Sequence, residues 1–323
     1  MEYLVAIDQG SSKTDVLVLN LDGKIICRTN DSLIRCKSEA FEVKRWDYIA
    51  YAVKYALAFI AVMPHHIRYV IAAVCGADWD EDVVSYADRI SSSLGVERER
   101  VIVINDCIAA LRSGFECDRI SGNAAVLCAG TRLNCSLISD NGKMYTYGRF
   151  INTIDHGAWA LGQEAWYAII DSYNGFIGPT LLTDIFLQYY NADSITELYK
   201  GFTSGRLIFY AAEYAQILFD AAKMGDKVAA DIVHSFVLRW IKYIVNGLNH
   251  IGLSSTDFFK LFLTGGLFKD ESEYLYKDIC ETIQAECPNA LCKRPALDPV
   301  SGAALLLLER IDSRLITNFF ASV

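Results

Sequence analysis

The sequence predicts an α/β fold built on mixed sheets, and three observations carry that prediction. Two apolar, β-branched runs between Tyr3 and Leu19 flank a polar Gly/Ser/Lys/Thr turn, the pattern of strands buried on both faces. A third strand follows the Asp22-Gly23 turn, after which helical and strand patterns alternate. The opening unit then recurs, with turn residues Gly23 and Gly142, and Lys24 and Lys143, each 119 positions apart. Such repetition predicts two similar domains facing each other across a cleft, the alternative being chance similarity of two hairpins.

In order, the third strand runs near Ile25–Arg28, and the polar stretch Thr29–Arg45 reads as a long loop or irregular strand. Trp46–Ala61 has helical spacing. Strand Tyr69–Val74, loop Cys75–Asp80, helix Glu81–Leu94 and strand Val101–Asn105 follow. A polar, Gly/Ser-containing segment at Glu116–Asn123 predicts a domain boundary. The repeat occupies Ala124–Tyr147. Beyond it, Asp155–Ser172 predicts a helix whose start Gly157 and Gly162 loosen, and Leu182–Phe219 holds several helices. Asp226–Ile251 is a long amphipathic helix, with Ile232, Phe236, Trp240, Ile244 and Leu248 as its core stripe. Strand Lys260–Leu263, helix Ser272–Glu286 and helix Val300–Arg310 complete the chain.

With 323 residues, 53% of them hydrophobic, the chain can bury two ordinary cores. A formal charge of −9 and a pI near 5.1 leave no basic surplus for nucleic acid or an anionic membrane. The N-terminus enters a strand directly and lacks a signal core, and Tyr51–Met63 is too short and too interrupted by Lys54 to span a bilayer, so a cytoplasmic chain is expected. The ten cysteines are scattered without metal-ligand spacing and read as buried small hydrophobes.

The turn at Gly10–Thr14 sits at the carboxyl end of the first strand, where open α/β sheets bind ligands. Small residues there let backbone N–H groups approach an anion. Asp8 would repel a phosphate and suits a magnesium ion through water. An ordinary tight hairpin with an acidic residue is the alternative.

Together the motifs resemble the actin-like ATPase and sugar-kinase superfamily, and within it the family of N-acetylglucosamine kinases and BadF/BadG-type ATPases. Asp8-Gln9-Gly10-Ser11-Ser12-Lys13-Thr14 is similar to the family's first phosphate motif, and Asn105-Asp106-Cys107-Ile108-Ala109-Ala110 to its second. Gly130-Thr131-Arg132-Leu133-Asn134 resembles its G-T-G-S-N, and Asp155-His156-Gly157 its G-D-E-G-S. Gly225-Asp226, Leu263-Thr264-Gly265-Gly266 and Pro299-Val300-Ser301-Gly302-Ala303 resemble the three later motifs, in the family's order.

The resemblance implies two ribonuclease-H-like (actin-like ATPase) lobes with mixed five-stranded sheets around an interdomain cleft. It places the first lobe at residues 1–118, joined by the C-terminal helix at about 311–323, and the larger lobe at 119–310. It implies phosphorylation of a sugar or amino sugar by ATP with Mg²⁺. Gly10, Ser11, Ser12, Lys13, Thr14, Gly130, Thr131, Gly265 and Gly266 would hold the nucleotide and Asp8 the magnesium. Asp106 would be the general base, with Asp155, Gly148 and Arg149 at the sugar. Read locally, Asp106 is an N-cap for a helix starting near Cys107, and only the surrounding motif set favours the base.

Departures are concentrated at the sugar pocket. Leu33–Ser38 lacks the family's Asn, Gly148-Arg149-Phe150 stands where G-W-G is usual, and Arg132 replaces a glycine. Arg149 is therefore a candidate fork for an anionic substituent such as a lactyl carboxylate, or simply a solvent-facing residue. The functional expectation is a kinase acting on a small-molecule sugar. An ATPase switch for a partner protein and a degenerate sugar binder are the alternatives, and exposed apolar helices are compatible with a homodimer.

Overall fold

The computed structural model describes residues 2–11, 13–31, 45–117, 119–269 and 273–323, apart from the side chains of residues 31, 45 and 46. Ser12 and the 33–38 stretch lie outside the described residues.

The first sheet is set by its opening meander. Strands β1 (Tyr3–Gln9), β2 (Thr14–Asn20) and β3 (Ile25–Asp31) pair antiparallel, with Asp8 opposite Asp15 and Gln9 opposite Thr14. Helix α1 (Arg45–Phe59) leads to β4 (Ile67–Val74), which lies parallel to β1, and α2 (Asp80–Leu94) leads to β5 (Val101–Asn105), parallel to β4. The strand order is β3-β2-β1-β4-β5, and α3 (Asp106–Arg112) follows.

The second sheet has the order β10-β9-β6-β7-β8, from β6 (Ala124–Ala129), β7 (Leu133–Ile138), β8 (Met144–Thr146), β9 (Phe259–Thr264) and β10 (Ala290–Lys293). Between β8 and β9 run α4 (Ala158–Tyr173), α5 (Leu181–Tyr190), α6 (Ile195–Thr203), α7 (Tyr214–Lys223) and α8 (Lys227–His250). Helix α9 (Tyr274–Glu286) joins β9 to β10, and α10 (Pro299–Asp312) and α11 (Ile316–Phe320) end the chain. Read from the meander outward, both sheets have one topology. The repeat extends to single hydrogen bonds. Gly23 N donates to Asn20 O and Asn20 N to Lys24 O, while Gly142 N donates to Ser139 O and Ser139 N to Lys143 O. Both glycines take positive φ, 84° and 85°, which a side chain would disfavour.

The chain divides into two compact units, residues 1–126, 136–149 and 293–323, and residues 127–135 and 150–292. The return to the first unit thus begins at Lys293, earlier than the expected residue 311. The reason is burial. Val300, Ala303, Ala304, Leu307 and Leu308 of α10 pack with Leu4, Ala6, Leu17 and Leu19 on one face of the first sheet, together with Ala109 of α3. The other face buries Val5, Ile7, Val16 and Val18 against α1 and α2 residues such as Val53 and Ile90.

Several motif residues turn out to serve packing. A Cβ at Gly302 would lie 2.0 Å from Ala109 O, so this glycine lets α10 close on α3. Arg112, fully buried, donates to Glu309, Phe115 O and Cys117 O. Asp226 caps α8 through Ala229 N and accepts from Thr180 Oγ1 and Leu181 N at the start of α5, which accounts for the Gly225-Asp226 pair. On α8, Phe236, Trp240, Ile244 and Leu248 are buried as the stripe predicts, while Ile232 is only half-buried and Val233 is buried in its stead. Helix α4 starts at Ala158, later than expected, because Thr153–Asp155 forms a separate 3-10 turn. Among the described residues no helix is long and apolar enough to cross a membrane.

Gly302→Ala is expected to destabilise the chain by about 1–3 kcal/mol, since backbone of two helices must separate to admit one methyl group. A urea unfolding midpoint unchanged from wild type would contradict this packing role.

Candidate functional site

In the first unit the parallel register of β1, β4 and β5 lines up their carboxyl ends. Asp8 pairs with Ala73 of β4, and Ala73 with Ile104 of β5. Asp8 and the start of α3 therefore share one edge, about 10 Å apart at two strand spacings. They also share a face, because Asp8 alternates with Leu4 and Ala6 on the side that α3 covers. Asp106 is the first residue of α3, but the cap is Asn105, whose side chain accepts from Cys107 N at 2.9 Å. Capping therefore does not account for Asp106.

The first turn is polar on both sides of its hairpin. Gly10 N donates to Lys13 O, and Thr14 Oγ1 donates to Gln9 Oε1 at 2.6 Å. Lys13 pairs with Asp15, so its charge is engaged within the hairpin. Asp8 and Asp15 are 7% and 1% exposed and lie directly opposite each other. Asp15 Oδ1 has no hydrogen-bond partner among the described residues. Two opposed carboxylates with an orphaned oxygen form a hard-oxygen donor set that fits a hydrated magnesium ion.

Arg149 is exposed on one side and held by acidic and aromatic neighbours on the other. Nη2 contacts both Asp82 oxygens at 3.2 and 3.1 Å, Nε lies 3.7 Å from Asp78 Oδ2, and the guanidinium stacks 4.5 Å from the Trp79 ring centroid. One cation faces two carboxylates, so the cluster carries a formal surplus of one negative charge. That surplus opposes an anionic sugar substituent at this place, and the side chain, 47% exposed, is not simply solvated. Gly148, at φ 54°, packs where a Cβ would be 2.7 Å from Asp78 Oδ1.

The second unit assembles its own cluster from distant segments. Gly130 N donates to Arg132 O, closing the second turn, and Ala158 N and Trp159 N at the start of α4 donate to Gly130 O and Thr131 O. Gly265, at φ 111°, comes so near that a Cβ would be 2.3 Å from Ala129 O, while Gly266 N lies near Gly130. Gly130, Thr131, Gly265 and Gly266 are thus brought together. Asp155 lies just before this start of α4. Its carboxylate, 5% exposed, accepts from Tyr243 Oη at 2.7 Å and pairs with Arg239 at 2.8 Å, while its carbonyl accepts from Trp240 Nε1.

No family model matches the chain. It is 23% identical over 319 residues to an N-acetylmuramic acid/N-acetylglucosamine kinase of Clostridium acetobutylicum, covering 97% of this chain and 100% of that one. The structure of a candidate N-acetylglucosamine kinase from Chromobacterium violaceum matches with a TM-score of 0.69 at 16% identity, over 95% of this chain and 99% of that one. The chain shares the fold of that structure. A ROK family glucokinase from Streptomyces griseus, solved with glucose and AMPPNP, has the same fold at a TM-score of 0.59 and 16% identity, over 94% and 97% of the two chains.

Sequence reasoning missed the supporting roles of Asp15, Asp78, Asp82 and Asn105 in the first unit and, separately, of Arg239 and Tyr243 in the second. Only Asn105 had a local signal, as an Asn before a helix. His156 was also passed over. Its Nδ1 accepts from Leu133 N at 3.4 Å, which requires the neutral ring. Burial pushes this imidazole below its ordinary value, the Arg132 guanidinium adds to that, and the Asp155 carboxylate opposes it. The unfolded ring titrates near 6.5, so below that pH the unfolded chain binds the extra proton. Stability from neutral His156 is present above that value and lost as pH falls. Melting temperatures between about pH 7.5 and 5.5 should decline less in His156→Asn than in wild type. Parallel curves would refute the assignment.

Proposed function

We propose that this chain is a kinase that transfers the γ-phosphoryl group of ATP to a hydroxyl of an N-acetylhexosamine, with Asp106 as general base. The observation that carries the reading is the placement of Asp8 and Asp106 on one edge and one face of the first sheet, with Asn105 rather than Asp106 capping α3. The naming of the Clostridium acetobutylicum relative for N-acetylmuramic acid and N-acetylglucosamine, over nearly the whole chain, supports the substrate class.

In this mechanism Asp106 accepts the proton of the sugar hydroxyl as its oxygen attacks the γ-phosphorus, and the bond to the β–γ bridging oxygen breaks to release ADP. Asp8, with Asp15 opposite, would hold hydrated Mg²⁺, which neutralises charge on the phosphates. The Gly10–Thr14 turn, including Ser11 and Ser12, would bind the nucleotide tail, with Lys13 freed from Asp15 only if the pair rearranges. Gly130, Thr131, Gly265 and Gly266 offer close-approach backbone for the nucleotide. Gly148, Arg149 and Asp155 act in support of the sugar pocket, because Arg149 and Asp155 are already paired with protein groups.

ADP release measured with and without amino sugars tests the reading. Release stimulated by N-acetylglucosamine or N-acetylmuramic acid, and reduced about 10²–10⁴-fold in Asp106→Asn, is expected. Slow release indifferent to every sugar would favour an ATPase switch. No release at all, with Asp106→Asn indistinguishable, would favour a sugar binder without catalysis.

A further inference from the structure

Asp106 lies between two residues that are both tied down. Asn105, 5% exposed, uses its two amide atoms in opposite directions. Its Oδ1 accepts from Cys107 N at 2.9 Å, and its Nδ2 donates to Asp78 Oδ1 at 2.7 Å. The other acceptor near Nδ2, Ala77 O, is at the 3.5 Å limit. The amide orientation that caps α3 is therefore chosen by Asp78.

Asp78 is itself held. Its side chain is 10% exposed, at the end of the turn that leaves β4. Arg149 Nε faces Oδ2 at 3.7 Å, and Gly148 packs against Oδ1, where a Cβ would lie 2.7 Å away. Asp82 and the Trp79 ring hold the guanidinium from the other sides. The chain of contacts runs from Arg149 through Asp78 and Asn105 to the first turn of α3.

We propose that Asp78 is the positioning residue for Asp106, acting through Asn105, with Arg149 as the clamp that keeps Asp78 in place. This inference rests on the kinase reading for its catalytic consequence, but its structural half does not. Without Asp78, a buried Nδ2 loses its good acceptor, the Asn105 amide turns to find another, and Cys107 N loses its cap. Asp106 then moves with the backbone on both sides of it. A general base displaced by about 1 Å costs on the order of 10²-fold in rate while leaving nucleotide binding alone.

The test uses the full chain with Asp78→Ala, Asp78→Asn, Asn105→Ala and the double variant Asp78→Ala/Asn105→Ala. Steady-state kinetics with N-acetylglucosamine and ATP are read alongside hydrogen–deuterium exchange of residues 105–109. Asp78→Ala should lower kcat about 10–100-fold with KM for ATP within about two-fold, and α3's first turn should exchange faster. Asp78→Asn keeps an acceptor oxygen and should recover kcat to within about three-fold of wild type. The double variant should be no slower than the slower single variant, because both act along one path. If Asp78→Ala does not fold, Asp78→Ser, too short to reach Asn105, carries the same expectation.

An unchanged kcat, or single effects that multiply in the double variant, would overturn the proposal. A wild-type chain that phosphorylates no sugar would instead sink the kinase reading. In that case exchange still decides the structural half: unaltered protection at 105–109 in Asp78→Ala overturns it.

Discussion

The parallel pairing of β4 between β1 and β5 is the constraint on which the candidate site depends. It brings three chain segments, separated by two helices, to one carboxyl edge: Asp8, the turn at residues 75–79, and Asn105. Strand β1 is buried on both faces, so a one-residue slip would drive Asp8 into the apolar layer beneath α1 and α2. The hydrophobic core thus enforces the register, and the register orients the carboxylates.

Charge is balanced locally within each unit. Lys13 answers Asp15, Arg149 answers Asp78 and Asp82, and in the second unit Arg239 and Tyr243 answer Asp155. Buried charges persist only when paired or held in hydrogen bonds, which is why so many motif neighbours are ion-pair partners. Asp15 Oδ1, buried without a hydrogen-bond partner among the described residues and opposite Asp8, suits a cation. Glycines in the motifs divide by role: Gly302 closes a helix pair, whereas Gly265 brings backbone to backbone beside the Gly130 turn.

The repeated unit was legible from residues alone. Asp22-Gly23 and Asn141-Gly142 predict the same turn, and the structure carries it down to matching hydrogen bonds and strand order. The strand from Val101 to Asn105 and the stripe on α8 were equally legible, because burial leaves a period in the sequence. The roles of Arg149 and Asp155 were not. An arginine in an aromatic's place looks like a new receptor until Asp78, Asp82 and Trp79 are found around it, and none of those stands near it in sequence. The assignment of α10 to the first unit was hidden for the same reason, since an apolar helix does not say which sheet it covers.

By itself, the sequence determined the alternation of strands and helices, the internal repeat and the order of the glycine and carboxylate motifs. These follow from patterns no longer than a few turns of chain, where burial and backbone geometry act on neighbouring residues. Only the tertiary structure decided that Asp78 holds Asn105 and that Arg149 is paired with Asp78 and Asp82. Those outcomes depend on which acceptor lies within about 3 Å of a given donor, and segments dozens of residues apart supply the acceptors.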